Sequence, residues 1–246
     1  MVNINSQESF MLYLINLIGG EFPQSAILKG GMSMRLLDSP RFTNDLDYIF
    51  VPFKSKKDIV EDILSLLDSI EELVYSYSLN SKALRIKITY KEFSTQIEAN
   101  VAESCPSIPI STSSLSLPVN QLGKVVSIMD LSFSMAHKLA AWNERRLIRD
   151  LYDIYFYYVN LKVKPDINVL KDRLQNINST KKNKNPEKMT ITEFTNRLAK
   201  EAEGLSSRDM KELSDFLPAD YSIGLELKLK ANLLQLCVEL KEYIHK

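Results

Sequence analysis

The residues of this chain whose types and spacing best suit a chemical role are two aspartates at the start of an apolar run. Asp45 and Asp47 flank Leu46 at the beginning of the run 45–50. Because alternate side chains of a β-strand share a face, both carboxylates point the same way while Leu46 points into the core. Carboxylate oxygens are the hard ligands that Mg²⁺ prefers. The spacing therefore predicts a Mg²⁺ site at the start of a strand.

A glycine pair upstream of the aspartates is suited to hold phosphate. Gly30 and Gly31 follow a short apolar run and open a short helical segment that contains Ser33. Glycine allows close approach of the backbone to a ligand, and N–H groups at the start of a helix favour anions. A metal site beside a phosphate cradle is the minimum equipment for phosphoryl or nucleotidyl transfer. We therefore predict that the Gly30 and Gly31 backbone and the Ser33 hydroxyl bind nucleotide β- and γ-phosphates.

Taken together, these motifs resemble those of a known family. Gly-Gly-x-Ser at 30–33 and Arg-x-Thr-x-Asp-x-Asp at 41–47 resemble the entry motif of DNA polymerase β-type nucleotidyltransferases. Lys-Leu-x-Ala at 138–141 and Arg-Asp-x-x-Asp at 149–153 follow in the order typical of AbiEii/MenT-like toxins of type IV toxin–antitoxin systems. That family often has Thr where Met32 stands, so Ser33 provides the only hydroxyl of the first motif.

The resemblance implies roles for further residues. A third carboxylate is expected on a neighbouring strand, and Glu98 stands on the polar face of the run 95–101 as a metal ligand or a base. A surface glutamate on an edge strand is the alternative interpretation. Lys138 is expected to neutralise triphosphate charge, and Asp150 to orient Lys138 or a ligand. The expected catalytic residues are Asp45, Asp47, Glu98, Lys138 and Asp150, the expected metal ligands are Asp45, Asp47 and Glu98, and the expected supporting residues are Arg41, Arg149 and Asp153.

Bulk composition narrows the class of protein. The 246 residues are 45% hydrophobic and carry 31 Lys and Arg against 31 Asp and Glu, so any nucleic-acid contact must use a local patch. Candidates for such a patch are the Lys-rich stretch 181–188 and the pair Arg145 and Arg146. Two Cys and two His are too few for a zinc cluster or a disulfide scaffold. We expect a cytoplasmic protein without a signal peptide or a membrane-spanning run.

The apolar periodicity predicts an α/β (α+β) protein, for which the resemblance implies a nucleotidyltransferase-type mixed sheet with flanking helices. A helical C-terminal half is predicted to follow. Residues 1–124 are predicted to form the nucleotidyltransferase-like domain, and residues 125–246 a helical domain that completes the active-site cleft. Strands are predicted at 26–28, 46–51, 73–79, 83–90 and 95–102, a loop at 104–118, and helices at 10–18, 32–37, 56–70, 131–146, 148–159, 190–205, 207–216 and 226–243.

The functional expectation rests on the resemblance. It implies a Mg²⁺-dependent enzyme that moves a nucleotide from an NTP to an acceptor, with a tRNA 3′ end as the candidate acceptor. It also implies that the protein is the toxin of a toxin–antitoxin or phage-defence system, with a separately encoded antitoxin. Two alternatives remain open at this point: transfer to a protein or a small molecule, and a nucleotide-binding regulator without catalysis.

Overall fold

The computed structural model describes residues 4–81, 83–177 and 187–243. The chain divides into two compact units, Met1–Asp130 and Leu131–Lys246. The first unit contains a mixed sheet with flanking helices and the second is helical, as the predicted fold class requires. The elements of the first unit are α1 Gln7–Glu21, β1 Ala26–Lys29, α2 Gly30–Arg35, β2 Asp45–Phe50, α3 Lys57–Asp68, β3 Leu73–Leu79, β4 Leu84–Tyr90, β5 Phe93–Val101, β6 Ser107–Ser111, α4 Ser113–Ser116 and β7 Val125–Met129.

Within the described residues the sheet has seven strands in the order β3-β4-β5-β2-β1-β7-β6. β2 pairs antiparallel with β1 and parallel with β5, while β1 also pairs parallel with β7. The remaining pairs are antiparallel. This topology places β2, the strand that begins with Asp45, in the middle of the sheet, so that its neighbours on both sides can contribute side chains to the same face.

The core of the first unit follows from alternation along the strands. In β2, Leu46 and Phe50 are fully buried on one face, while Asp45 is exposed and Asp47 is half-buried on the other. Helix α1 contacts β5 and β7 and buries much of its apolar surface. It begins at a capping box in which the Ser6 hydroxyl accepts from the Ser9 backbone at 3.1 Å and the Ser9 hydroxyl accepts from the Ser6 backbone at 2.9 Å.

Two strands were not expected from the sequence. The stretch 104–118, predicted as a loop, contains the edge strand β6, and β7 lies where only the approach to a helix was expected. Pro109 lies within β6, and proline is tolerated there because an edge strand leaves one row of backbone groups unpaired. The compact units divide after Asp130, so β7 belongs to the first unit although the predicted boundary stood before it, at residue 124.

The second unit consists of helices around an aromatic centre. Trp142 is 1% exposed, and its ring meets the ring of Phe194 edge to face at 5.8 Å. In the described ranges, no helix combines the length and hydrophobicity needed to cross a bilayer. The elements are α5 Leu131–Arg145, α6 Ile148–Tyr155 continued by a π-helical turn at Phe156–Asn160, α7 Ile167–Gln175, α8 Ile191–Glu203, α9 Ser207–Leu213 and α10 Leu225–Glu242.

Candidate functional site

A row of four charged side chains crosses adjacent strands on one face of the sheet. Lys29 of β1 is the register partner of Asp47, Asp47 is the partner of Glu98 in β5, and Glu98 is the partner of Arg85 in β4. Nζ of Lys29 lies 3.8 Å from Oδ1 of Asp47, and Nε of Arg85 donates to Oε2 of Glu98 at 2.8 Å. Two neighbouring carboxylates are therefore flanked by one cation on each side.

Asp45 extends the acidic face along β2. It is exposed at the first position of the strand and shares a face with Asp47, while Leu46 between them is buried. The register partner of Asp45 in β5 is Gln96 rather than an acid. The face thus combines a pair of aspartates on one strand with a single glutamate on the next.

The glycine pair fits closely around this face. Gly30 has a φ of +76°, and a Cβ on it would overlap Oδ2 of Asp47. A Cβ on Gly31 would lie 2.7 Å from Oγ1 of Thr43 and 2.8 Å from Nη2 of Arg41. Both positions therefore need glycine, because the Asp47 carboxylate and the Arg41 guanidinium pack directly on the backbone.

Ser33 stabilises the same turn. Its side chain is 2% exposed, and its hydroxyl donates to the Gly30 carbonyl at 2.9 Å. A hydroxyl has one proton to donate, so Ser33 must release this bond before it can donate to a phosphate. The Ser33 hydroxyl therefore helps to hold the conformation of Gly30.

The carboxylates of this face provide some of the oxygen ligands that a hard divalent cation needs. Asp45 and Asp47 are oxygen donors on one strand face and remain accessible, which fits the predicted ion. The Glu98 carboxylate is held by Arg85 and would join them only after release. Over residues 4–81, 83–177 and 187–243, no group of three or more Asp, Glu, His or Cys side chains is close enough to share one ion.

Lys29 and Arg85 were not anticipated as members of this face. The alternation of the run 84–90 indicates that Arg85 points away from the core, but its partner depends on how β4 pairs with β5. The distance between Asp47 and Lys29 likewise depends on the pairing of β1 with β2. No local sequence signal specifies either register, so these two cations could be identified only from the assembled sheet.

The charged residues predicted in the helical unit form two separate ion pairs. Nζ of Lys138 donates to Oδ2 of Asp153 at 2.5 Å. Both oxygens of Asp150 accept from Arg145, with distances of 2.6 and 2.5 Å from Nε and Nη2. Asp150, in the first turn of α6, therefore pairs with Arg145 at the end of α5 and not with Lys138, while its predicted role in orienting a ligand stays a prediction. Asp150 is fully buried, and Arg145 donates to both of its carboxylate oxygens.

Arg149 and the Lys-rich stretch 181–188 were also predicted to take part in the function of the helical unit. The Arg149 guanidinium makes a cation–π contact with Phe216, at 5.6 Å from the centre of the ring. Most of the Lys-rich stretch 181–188, namely residues 181–186, lies outside the described residues.

Two titratable groups of the sheet unit stay in their neutral forms. Burial raises the pKa of the Tyr48 phenol, which lies on the core face of β2. Its hydroxyl has no hydrogen-bond partner among the described residues. Burial also raises the pKa of the Cys105 thiol, an effect that Lys29 opposes and Asp130 strengthens. A protonated thiol is a poor nucleophile, so the raised pKa disfavours Cys105 as a nucleophile.

Comparison with known proteins identifies the family. The model of the nucleotidyl transferase AbiEii toxin family, a type IV toxin–antitoxin family, matches residues 14–224. No curated protein matches the sequence. Several solved structures also resemble the fold, among them the two that follow. MenT4, a nucleotidyltransferase toxin from Mycobacterium tuberculosis H37Rv, has a TM-score of 0.58 and 13% identity over 94% of this chain and 82% of its own. JHP933 from Helicobacter pylori has a TM-score of 0.53 and 14% identity over 98% and 97%.

The structural likeness at this low identity supports the fold, and the family match supports the membership. That match includes the glycine pair, the aspartate pair of β2 and the charged motifs of α5 and α6. This chain therefore belongs to the AbiEii family of nucleotidyltransferase toxins of type IV toxin–antitoxin systems, and it is a nucleotidyltransferase.

Proposed function

We propose that this nucleotidyltransferase uses Mg²⁺ held by Asp45 and Asp47 to transfer a nucleotide from an NTP to RNA, at a tRNA 3′ end. The observation that carries the proposal is the accessible aspartate pair of β2, with Asp47 packed against the Gly30 turn. Such an ion would offset negative charge on the phosphates during transfer. Because both substrates are cytoplasmic, we also propose that the toxin acts in the cytoplasm, where it restricts growth or phage propagation.

The reaction exchanges one bond at phosphorus for another. The oxygen of an acceptor hydroxyl bonds to the α-phosphorus, the bond from that phosphorus to the β-phosphate bridge breaks, and pyrophosphate leaves. The hydroxyl proton passes to a base, for which Glu98 is the proposed residue once Arg85 releases it. If Glu98 instead joins the aspartates as a ligand, the proton passes to solvent.

The backbone of the glycine turn is the proposed support for the β- and γ-phosphates. Gly30 and Gly31 open α2, and the Asp47 carboxylate and the Arg41 guanidinium pack on them, so a phosphate at this turn would lie beside the proposed metal ligand and a cation. Lys29 and Arg41 add positive charge beside this turn, Lys29 through its position next to Asp47 and Arg41 through its packing on Gly31. Ser33 contributes by holding Gly30 in place.

Lys138 is proposed to provide a further cation for the triphosphate. Replacing Lys138 alone would change both the activity and the stability of the protein. The Lys138 side chain is 14% exposed and its partner Asp153 is 1% exposed. Replacing Lys138 alone would leave a buried carboxylate without this cation, which costs about 3–5 kcal/mol in comparable pairs. A loss of activity in Lys138→Ala could therefore reflect unfolding.

The double variant Lys138→Met/Asp153→Asn separates the two effects. It removes both charges of the pair and keeps side chains of similar volume, so we expect a folded protein with a Tm near that of the wild type. Transfer should nevertheless fall by about 10²–10³-fold, as happens when a charge-stabilising group is lost. Lys171→Met, at an exposed position of α7, is the control. Full turnover by the folded double variant would show that Lys138 is only structural.

The acceptor class can be tested with an NTP labelled at the α-phosphate. We expect label in the RNA fraction of a cell extract, concentrated in tRNA, and none with an NTP labelled at the γ-phosphate. Periodate oxidation destroys the 3′-terminal diol of RNA, so oxidised RNA should accept no label.

The alternatives give different results in the same experiment. Label in the protein fraction or in a small molecule would show that the acceptor is not RNA, and nucleotidyl transfer itself would still be supported. Nucleotide binding with no transfer to any fraction, by a folded protein supplied with Mg²⁺, would favour a regulator without catalysis. Membership of a type IV family implies an antitoxin, and we propose that it is encoded separately.

A further inference from the structure

A basic pocket lies within the helical unit. It has a volume of about 580 Å³ and is lined by Arg146, Arg197, Lys200, Glu201 and Gly204. It is an open surface depression rather than an enclosed cavity, so a bound group would remain in contact with solvent. Three of its five lining residues are cations, which points to an anion as the ligand.

Aromatic packing brings the two arginines of the pocket together. Trp142 of α5 and Phe194 of α8 are in edge-to-face contact at 5.8 Å. Arg146 follows Trp142 by four residues and Arg197 follows Phe194 by three, so each arginine is about one helical turn from the contact. The buried contact between Trp142 and Phe194 therefore fixes the backbone positions from which both arginines extend.

Arg146 is held in place by contacts that do not neutralise it. Its guanidinium lies 4.4 Å from the centre of the Trp142 ring. Nε donates to the Asn143 carbonyl at 3.2 Å, and Nη2 donates to Oδ1 of Asn143 at 2.8 Å. No carboxylate of the described residues is paired with this guanidinium, whereas the guanidinium of the adjacent Arg145 is occupied by Asp150.

The electrostatics of the pocket favour an added negative charge. Burial lowers the pKa of Arg146, and the nearby positive charge of Arg197 lowers it further, while Glu201 and Glu187 oppose the effect. Arg197 pairs with Glu187 at 2.7 Å, but Glu187 is 73% exposed, and such surface pairs are worth about 0–1 kcal/mol. Lys200 is exposed. A bound anion would offset the repulsion between the two guanidinium groups.

The distribution of charged residues along the chain also favours an anion as the ligand of this pocket. Residues 1–130 hold 11 Lys and Arg against 15 Asp and Glu, whereas residues 131–246 hold 20 against 16. The excess lies in residues 131–200, with 14 against 7. Although the net charge of the chain is zero, the sheet unit is acidic and residues 131–200 of the helical unit are basic. The pocket is lined by residues of this basic segment together with Glu201 and Gly204.

We propose that the pocket of Arg146, Arg197 and Lys200 binds a backbone phosphate of the RNA acceptor. The N–H groups of the Arg146 guanidinium that do not bond Asn143 can donate to phosphate oxygens, and Arg197 and Lys200 add positive charge beside them. The proposal rests on RNA as the acceptor in the proposed function. It adds a binding site for the acceptor at a place that carries none of the proposed metal or triphosphate ligands.

The test compares two charge reversals that change the net charge equally. Lys200→Glu lies in the pocket, and Lys228→Glu lies at an exposed position of α10 outside it. Binding of a fluorescein-labelled single-stranded RNA is measured by anisotropy over a range of salt concentrations. We expect Lys200→Glu to weaken binding about tenfold, and to reduce the slope of log K against log salt concentration by about 0.7. Lys228→Glu should bind like the wild type.

Arg146→Gln and Arg197→Gln extend the test, with far-UV circular dichroism to confirm that each variant is folded, because Arg146 contacts Trp142 and its removal would change the tryptophan fluorescence directly. Binding of a fluorescent NTP distinguishes the two sources of phosphate, and we expect it to be unchanged in all pocket variants. Equal RNA binding by the folded pocket variants and the wild type would overturn the proposed pocket, as would a parallel loss of NTP binding. Failure of the wild type to label any RNA would instead refute RNA as the acceptor, so the two failures can be told apart.

Discussion

Replacement of Asp47 by asparagine is expected to reduce nucleotidyl transfer by at least about 10²–10³-fold while leaving the protein folded. Asparagine has nearly the same shape but lacks the negative charge that a divalent cation needs. Asp47 is 30% exposed, and Nζ of Lys29 lies 3.8 Å from its Oδ1. Such a pair contributes about 0–1 kcal/mol, so the melting temperature should change little.

The measurement is transfer of α-labelled NTP at increasing Mg²⁺ concentration, with Asp62→Asn in α3 as the control. Asp62 is an exposed aspartate of the same unit, so its change tests the chemistry of the substitution without touching the acidic face. Gly30→Ala should reproduce the loss, because the added Cβ would displace the Asp47 carboxylate. In cells, expression of the wild type should slow growth and Asp47→Asn should relieve it. Wild-type turnover by folded Asp47→Asn would refute the assignment of Asp47 as a metal ligand.

The second large effect concerns stability. Arg145→Ala is expected to destabilise the helical unit by about 3–5 kcal/mol, because it leaves the fully buried Asp150 carboxylate without the guanidinium that binds both of its oxygens. Arg145→Leu/Asp150→Leu should recover most of that loss, since apolar side chains avoid the cost of burying an unpaired charge.

Urea unfolding followed by tryptophan fluorescence measures this effect directly. The chain has one tryptophan, Trp142, which is buried in the helical unit and therefore reports on that unit alone. The control is Lys164→Ala, which removes an exposed ion pair with Glu239 at 3.7 Å and should cost no more than about 1 kcal/mol. An unfolding free energy of Arg145→Ala within 1 kcal/mol of the wild type would contradict the role of this pair.

Secondary structure near the motifs could be predicted from local patterns. The alternation of the runs 73–79, 83–90 and 95–102 predicts β3, β4 and β5 to within two residues at each end. The predicted helix at 190–205 corresponds to α8, which begins at the Thr190 capping box with Glu193. These elements were predictable because capping bonds and alternation involve residues that are close in the sequence.

Local composition gave wrong predictions where contacts between distant parts of the chain decide the secondary structure. The Ser- and Pro-rich stretch 104–118 indicates a loop, yet β6 forms there because β7 offers a partner along a sheet edge. The apolar run of β7 is too short to distinguish a strand from the start of a helix. It becomes a strand because it lies between β1 and β6, and no local pattern contains that information.

The sequence by itself determined that Asp45 and Asp47 share one strand face behind a glycine turn, because side-chain alternation is a property of the strand backbone. It also determined the family, through motifs that keep their order along the chain. Only the tertiary structure decided the partner of each charge: Lys29 with Asp47, Arg85 with Glu98, Lys138 with Asp153 and Arg145 with Asp150. Strand register and helix packing set these distances through contacts between residues far apart or across a helix break, and a linear pattern does not encode them.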